Sequence, residues 1–213
     1  MPEGVPPSDE ILAGLTKIAS EAAGVGIAWH VIVGLWLLAL LAGFRWHLRH
    51  LPLLLSVPLA SVSALAWVYR NPFNGAVFAL AAGAVGLLAR AQPNQTSLRR
   101  APWSIALGVC LLAFAWVYPH FVVGDSMWKY LYRSPLGIIP CPTLALVCGA
   151  SLICGGLGTR SWQTVVALLA AFYAVFGVLR LGVYVDVFLL VGAVGVLIQA
   201  QNRARDAGAR FRL

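Results

Sequence analysis

Cys141 stands between Pro140 and Pro142, near the close of the stretch Ser134 to Thr143 (SPLGIIPCPT), just before a long apolar run. At the first turn of a helix a sulfur meets the positive end of the helix dipole, and two flanking prolines restrict the backbone around it. That is a setting for a reactive thiol, with His120 as a base or as a second ligand to a soft metal. Two ligands make no metal site and a third is not identifiable, so neither a metal nor a cofactor is assigned. A proline-rich helix start with an incidental cysteine accounts for the same residues without chemistry.

Other polar residues are expected at the same level. His30 lies about one and a half turns into the first long apolar run. Tyr69, Arg70 and Asn71 close the second run, and Tyr118 and His120 end the fourth. Cys141 and Thr143 open the fifth, while Arg180 and Asp186 flank the last hairpin. Polar groups at membrane depth are costly and usually face a bundle interior or a cavity, so together these residues form a candidate ligand-binding cluster. Each also has a plainer role. Arg180 and Asp186 can pair, and His30 can be a hydrogen-bonded interior side chain. Tyr118 and His120 can anchor an interface, with Pro119 ending the helix, and Asn71-Pro72 is a standard turn and helix start.

The elements that must hold these residues are read from apolarity. Of 213 residues, 61% are hydrophobic and 10% charged, whereas a soluble domain is about half apolar and a quarter charged. Such an excess must face lipid. Seven apolar runs, 25–44, 51–69, 73–89, 103–123, 142–158, 162–180 and 183–200, each have roughly the length of a spanning helix. The count falls to six if a tight hairpin, at Arg70 to Pro72 or at Arg180 to Gly182, is re-entrant. Residues 1–24 are a leader and an amphipathic helix, with Ser8 as N-cap, Asp9 and Glu10 in the first turn, and Ile11, Leu15, Ile18 and Ala22 on one face. Residues 201–213 form a basic tail. The expected fold is therefore an all-α polytopic membrane helix bundle of seven transmembrane helices, spanning 25–200, with an N-terminal amphipathic interfacial helix.

The net charge of +8 would suggest nucleic acid in a soluble protein, but here the cations sit between apolar runs and set orientation. With seven spans, one face receives Arg45, Arg49, Arg90, Arg99, Arg100, Arg160, Arg203, Arg205, Arg210 and Arg212, ten of the fifteen basic residues. The other face holds the remaining five and six of the seven acids. The positive-inside rule puts the N-terminus in the periplasm and the C-terminus in the cytoplasm. Cys110, Cys148 and Cys154 lie inside apolar runs, and no CxxC pair occurs. A line of Gly75, Ala79 and Gly83 suits close helix contact within the bundle or in a homo-oligomer. The segment 124–133 reads as a short amphipathic piece at the interface, placed to act as a lid over Cys141.

The segment Gly137 to Thr143, with the Asn71-Pro72 hairpin and the Tyr118-Pro119 helix end, resembles a family of small bacterial inner-membrane proteins of unknown function. Its members carry a G-x-P-C-P-T-like segment opening a late transmembrane helix. The resemblance spans roughly residues 25–200 and implies no activity, substrate or cofactor. The leading functional expectation is a non-enzymatic inner-membrane protein whose outward-facing polar pocket binds or passes a small ligand. The alternatives are an accessory subunit or assembly factor of a larger membrane complex, and a membrane enzyme using Cys141 as a reactive thiol. The expected partners are the lipid bilayer and another membrane subunit or a second copy, not nucleic acid.

Overall fold

The computed structural model describes residues 6–43, 50–90, 101–123, 126–155 and 160–210. Among them the chain is helical and forms no strand. Helices α1 (Ser8–Glu21) and α2 (Ala23–Leu41) are joined at Ala22, and α3 (Leu51–Val68) and α4 (Pro72–Arg90) form a hairpin. Then come α5 (Pro102–Val117), the short α6 (Tyr130–Arg133), α7 (Pro140–Ile153), α8 (Arg160–Leu181) and α9 (Val187–Arg210). Four helical stretches are long and apolar enough to cross a membrane: α2, α3, α8, and Tyr184–Asn202, which contains most of α9. Shorter apolar helices, Pro72–Leu88, Pro102–Val117 and Pro140–Ile153, occupy the other three expected runs.

The shortening has identifiable causes. The fourth run ends at Val117 rather than at 123, because Tyr118 leaves helical geometry (φ −8°, ψ 99°) just before Pro119. Helix α7 is short because it is central. Every residue from Pro140 to Leu152 is buried, and α3, α5, α8 and α9 pack around it. A helix apolar on all sides and enclosed by protein need not match the ~30 Å of hydrocarbon that a lipid-facing span must cross.

Glycines set the closest approaches. Gly108 of α5 and Gly149 of α7 meet backbone to backbone, so that a Cβ on Gly149 would lie 2.8 Å from the Gly108 carbonyl oxygen. Gly192 and Gly195 of α9 lie against Leu111 and Leu107 of α5. In the α3–α4 hairpin Gly75 lies on the Trp67 ring and Ser63 donates to the Gly75 carbonyl at 2.7 Å, whereas Gly83 faces open space.

Helix α1 buries Leu15, Ile18 and Ala19, with Ile11 partly covered, as its amphipathic pattern predicts. Pro7, not Ser8, occupies its N-cap position, and no side-chain cap forms. The segment Met127–Arg133 is a 3-10 turn followed by α6. It does not fulfil the expectation of a lid over Cys141. It packs instead against α2 and α5, and Trp116 donates to the Leu131 carbonyl at 2.8 Å.

Candidate functional site

The stretch Ser134 to Thr143 is a buried loop feeding a buried helix. Ser134, Leu136, Ile138 and Ile139 are all buried, an arrangement that irregular backbone at membrane depth tolerates only when protein surrounds it. Its polar groups are accounted for one by one. Ser134 donates to the Ala115 carbonyl, and the Pro135 carbonyl accepts from the Ile138 and Ile139 amides. The Gly137 amide donates to Thr143 Oγ1 at 3.0 Å, and that hydroxyl donates to the Ile139 carbonyl at 2.7 Å. Trp29 donates to Ser61, and Ser61 donates to the Gly137 carbonyl at 2.7 Å, tying α2 and α3 to the loop. Gly137 has φ +70° and its Cα sits flush against the Trp29 ring, so glycine is required twice over at this position.

This scaffold delivers Cys141 to Tyr118 and Asp186. The Tyr118 hydroxyl donates to Asp186 Oδ1 at 2.7 Å, and Cys141 is buried close to the pair. Tyr118 is fully buried and Asp186 is 1% exposed. Aromatic packing fixes the tyrosine, with Phe114 and Phe121 at ring-centre distances of 5.3 and 6.2 Å. Asp186 reaches the centre because Gly177 of α8 has no side chain; a Cβ there would collide with the carboxylate. On α8 the buried Tyr173 donates to Asn74 Oδ1 at 2.8 Å, tying α4 to α8.

The other candidate residues are not in contact with this centre. His30 is buried, with one ring nitrogen 2.8 Å from the Gly26 carbonyl and the other 3.0 Å from the Trp116 carbonyl, so it fastens α2 to the end of α5. His120 meets Phe121 edge-on rather than serving Cys141 as a base, and partial burial holds its imidazole below the ordinary histidine value. Arg180 does not pair with Asp186; it donates to the Pro6 carbonyl at 3.0 Å. Arg70 adopts a left-handed turn conformation (φ 55°), and Asn71 Oδ1 caps α4 by accepting from the Asn74 amide. Tyr69 lies near Glu21 of α1. Thr143 is the loop clamp described above.

Sequence reasoning missed Tyr173 and Asn74, and also a buried amide chain at the opposite end. There Gln163 donates to Gln199 at 3.1 Å, and Gln199 donates to the Leu152 carbonyl at 3.1 Å, clamping α8, α9 and α7. The available signal was an uncharged polar residue inside an apolar run. Among the described residues no group of three or more His, Cys, Asp or Glu side chains converges.

Fold and site together define a helical membrane-protein bundle with a closed Tyr–Asp–Cys centre near the N-terminal end of its central helix. No family model, no curated protein and no solved structure matches the chain.

Proposed function

We propose that this chain is a seven-span protein of a bacterial inner membrane that binds or passes a small ligand at the Cys141 end of its bundle. Its N-terminus is periplasmic, its C-terminus cytoplasmic, and it belongs with the proteins sharing the G-x-P-C-P-T-like segment. The observation that carries the ligand reading is the Asp186 carboxylate, 1% exposed and held by the neutral Tyr118 hydroxyl. No cation pairs with it among the described residues, where Lys17–Glu21 is the one ion pair. A buried charge without a counter-charge costs several kcal/mol, and acids at membrane depth mark ion, proton or substrate paths. A carboxylate only accepts hydrogen bonds, so the fitting ligand is a small cation or a protonated amine.

Thermal unfolding of the detergent-purified protein, with a panel of small inorganic cations and protonated amines, tests the reading. At least one compound raises the Tm of the wild type and leaves Asp186→Asn unmoved, as mass action requires of a ligand bound only by the fold. A panel in which no compound distinguishes the two proteins defeats the proposal. The accessory-subunit reading draws on the outward-facing Met127 and Trp128, 76% and 74% exposed, which offer a partner an apolar ridge. Native purification in mild detergent decides that reading, because a lone monomer counts against it.

A further inference from the structure

We infer that a shallow slot between α2 and α3 is a lipid site, holding one acyl chain of a phospholipid whose ester carbonyl accepts a hydrogen bond from Trp36. The site shares no residue with the Tyr118–Asp186–Cys141 centre and does not rest on the ligand reading. Its walls include Trp29, Ile32, Val33 and Trp36 of α2 and Leu54 and Pro58 of α3, with Leu146 contributed by α7. Helix α2 packs chiefly on α6 and α1, and the hydrogen bond from Trp29 to Ser61 at 3.0 Å ties it to α3. Pro58 stands inside α3, where a proline gives up a backbone hydrogen bond and crowds the carbonyl four residues before it. That carbonyl belongs to Leu54, the other α3 wall.

The slot lies on helices long and apolar enough to span, and its Ile32 wall is 46% exposed. One polar group in the walls lacks a partner. Trp36 is 7% exposed, and its indole Nε1 meets no acceptor among the described residues, whereas the Trp29 indole is already held by Ser61. A buried indole N–H ordinarily has a partner, so an acceptor is to be expected here. Water is a poor answer, because a bound water needs two or more polar neighbours and these walls offer a single free donor. Size separates the acceptors that a membrane supplies. The slot encloses about 30 Å³, room for about two water-sized groups. A chain one carbon wide lies along such a slot; a ring, such as a quinone head, does not fit it. Position agrees. Trp36 is about 7.5 Å from the end of α2 and Leu54 about 4.5 Å from the start of α3, toward the boundary where lipid esters lie. Trp29 is about 10 Å further along α2 from that boundary, so the chain runs from Trp36 toward Trp29.

Phospholipids of identical chains and headgroup, joined through ester or ether linkages, separate the carbonyl from the chain. The full-length protein in mild detergent is titrated with each, and retained lipid is counted by native mass spectrometry. The parent retains one ester lipid with an affinity about fivefold above that for the ether lipid, the size of one ordinary net hydrogen bond. Trp36→Phe keeps a ring but not the donor, so it binds both lipids at the ether-lipid level. Ile32→Trp, at the lipid-exposed wall where a larger side chain disturbs the fold least, fills the slot and removes the retained lipid of either kind. Equal affinities for the two lipids in the parent overturn the inference, as does an ester preference that survives in Trp36→Phe. Displacement of the ester lipid by a short-chain benzoquinone, in the parent but not in Trp36→Phe, overturns the acyl chain as occupant. The readout involves neither Asp186 nor a cation, so this site and the ligand reading stand or fall separately.

Discussion

Replacing Tyr118 by phenylalanine removes one hydroxyl and little else. The ring keeps its packing against Phe114 and Phe121. What is lost is the 2.7 Å hydrogen bond to Asp186 Oδ1, between a residue fully buried and one 1% exposed. Water cannot step in, and a hydrogen bond to a charged acceptor contributes about 1.5–3 kcal/mol. In a protein of this length each kcal/mol moves the Tm by about 2–4 °C, so Tyr118→Phe should lower it by roughly 3–12 °C. The double-mutant cycle with Asp186→Asn gives the more searching result. An amide keeps the size and one acceptor oxygen but loses the charge, so the tyrosine's contribution should fall to about 1 kcal/mol in that background. Detergent thermal unfolding of the four proteins supplies the cycle. If Tyr118→Phe costs the same in both backgrounds, the carboxylate carries no special weight and the argument from an uncompensated buried charge collapses.

Gly137→Ala combines a left-handed backbone, about 1–2 kcal/mol for a residue with a Cβ, with collision against the Trp29 ring; a Tm drop of several degrees is expected, and parity with the parent contradicts the loop geometry. Replacing Gln163 and Gln199 together by leucine should change stability by less than about 1 kcal/mol, since interhelical hydrogen bonds in membranes average ~0.6 kcal/mol, whereas Gln199→Leu alone strands Gln163 and should cost more. The burial that lowers the His120 pKa means that the unfolded chain takes up a proton near pH 6.5 that the fold resists. Stability should therefore fall as pH drops through that value, and His120→Gln should flatten a Tm–pH curve between pH 7 and 5.

Much of the architecture was legible because hydropathy is a one-dimensional property. The apolar runs overlap α2, α3, α4, α5, α7, α8 and α9, and the amphipathic spacing of Ile11, Leu15 and Ile18 marked α1. Pro119 announced the end of α5, although the helix stops earlier than the run of apolar residues does. The candidate site was legible only as a level in the bundle. Tyr118, Cys141 and Asp186 were each singled out, but nothing in their spacing joined them to one another rather than to His120 or Arg180. The expected Arg180–Asp186 pair illustrates why. The two are close in sequence, yet the turn at Gly182 (φ +70°) and the bare surface of Gly177 let Asp186 fold back into the core, while Arg180 reaches for Pro6.

Composition and the long apolar runs by themselves marked this as a helical membrane protein, because 61% hydrophobic residues in stretches of spanning length exceed what a soluble core hides. Only the tertiary structure decided that the helix opened by Pro140-Cys141-Pro142 is the central one. Lipid and protein are equally apolar surroundings, so a sequence reads alike whether its helix faces acyl chains or other helices. The fold also decided that a tyrosine 68 residues upstream of Asp186 is its hydrogen-bond partner. Such a pairing depends on which helix ends are brought together, and packing geometry alone specifies that.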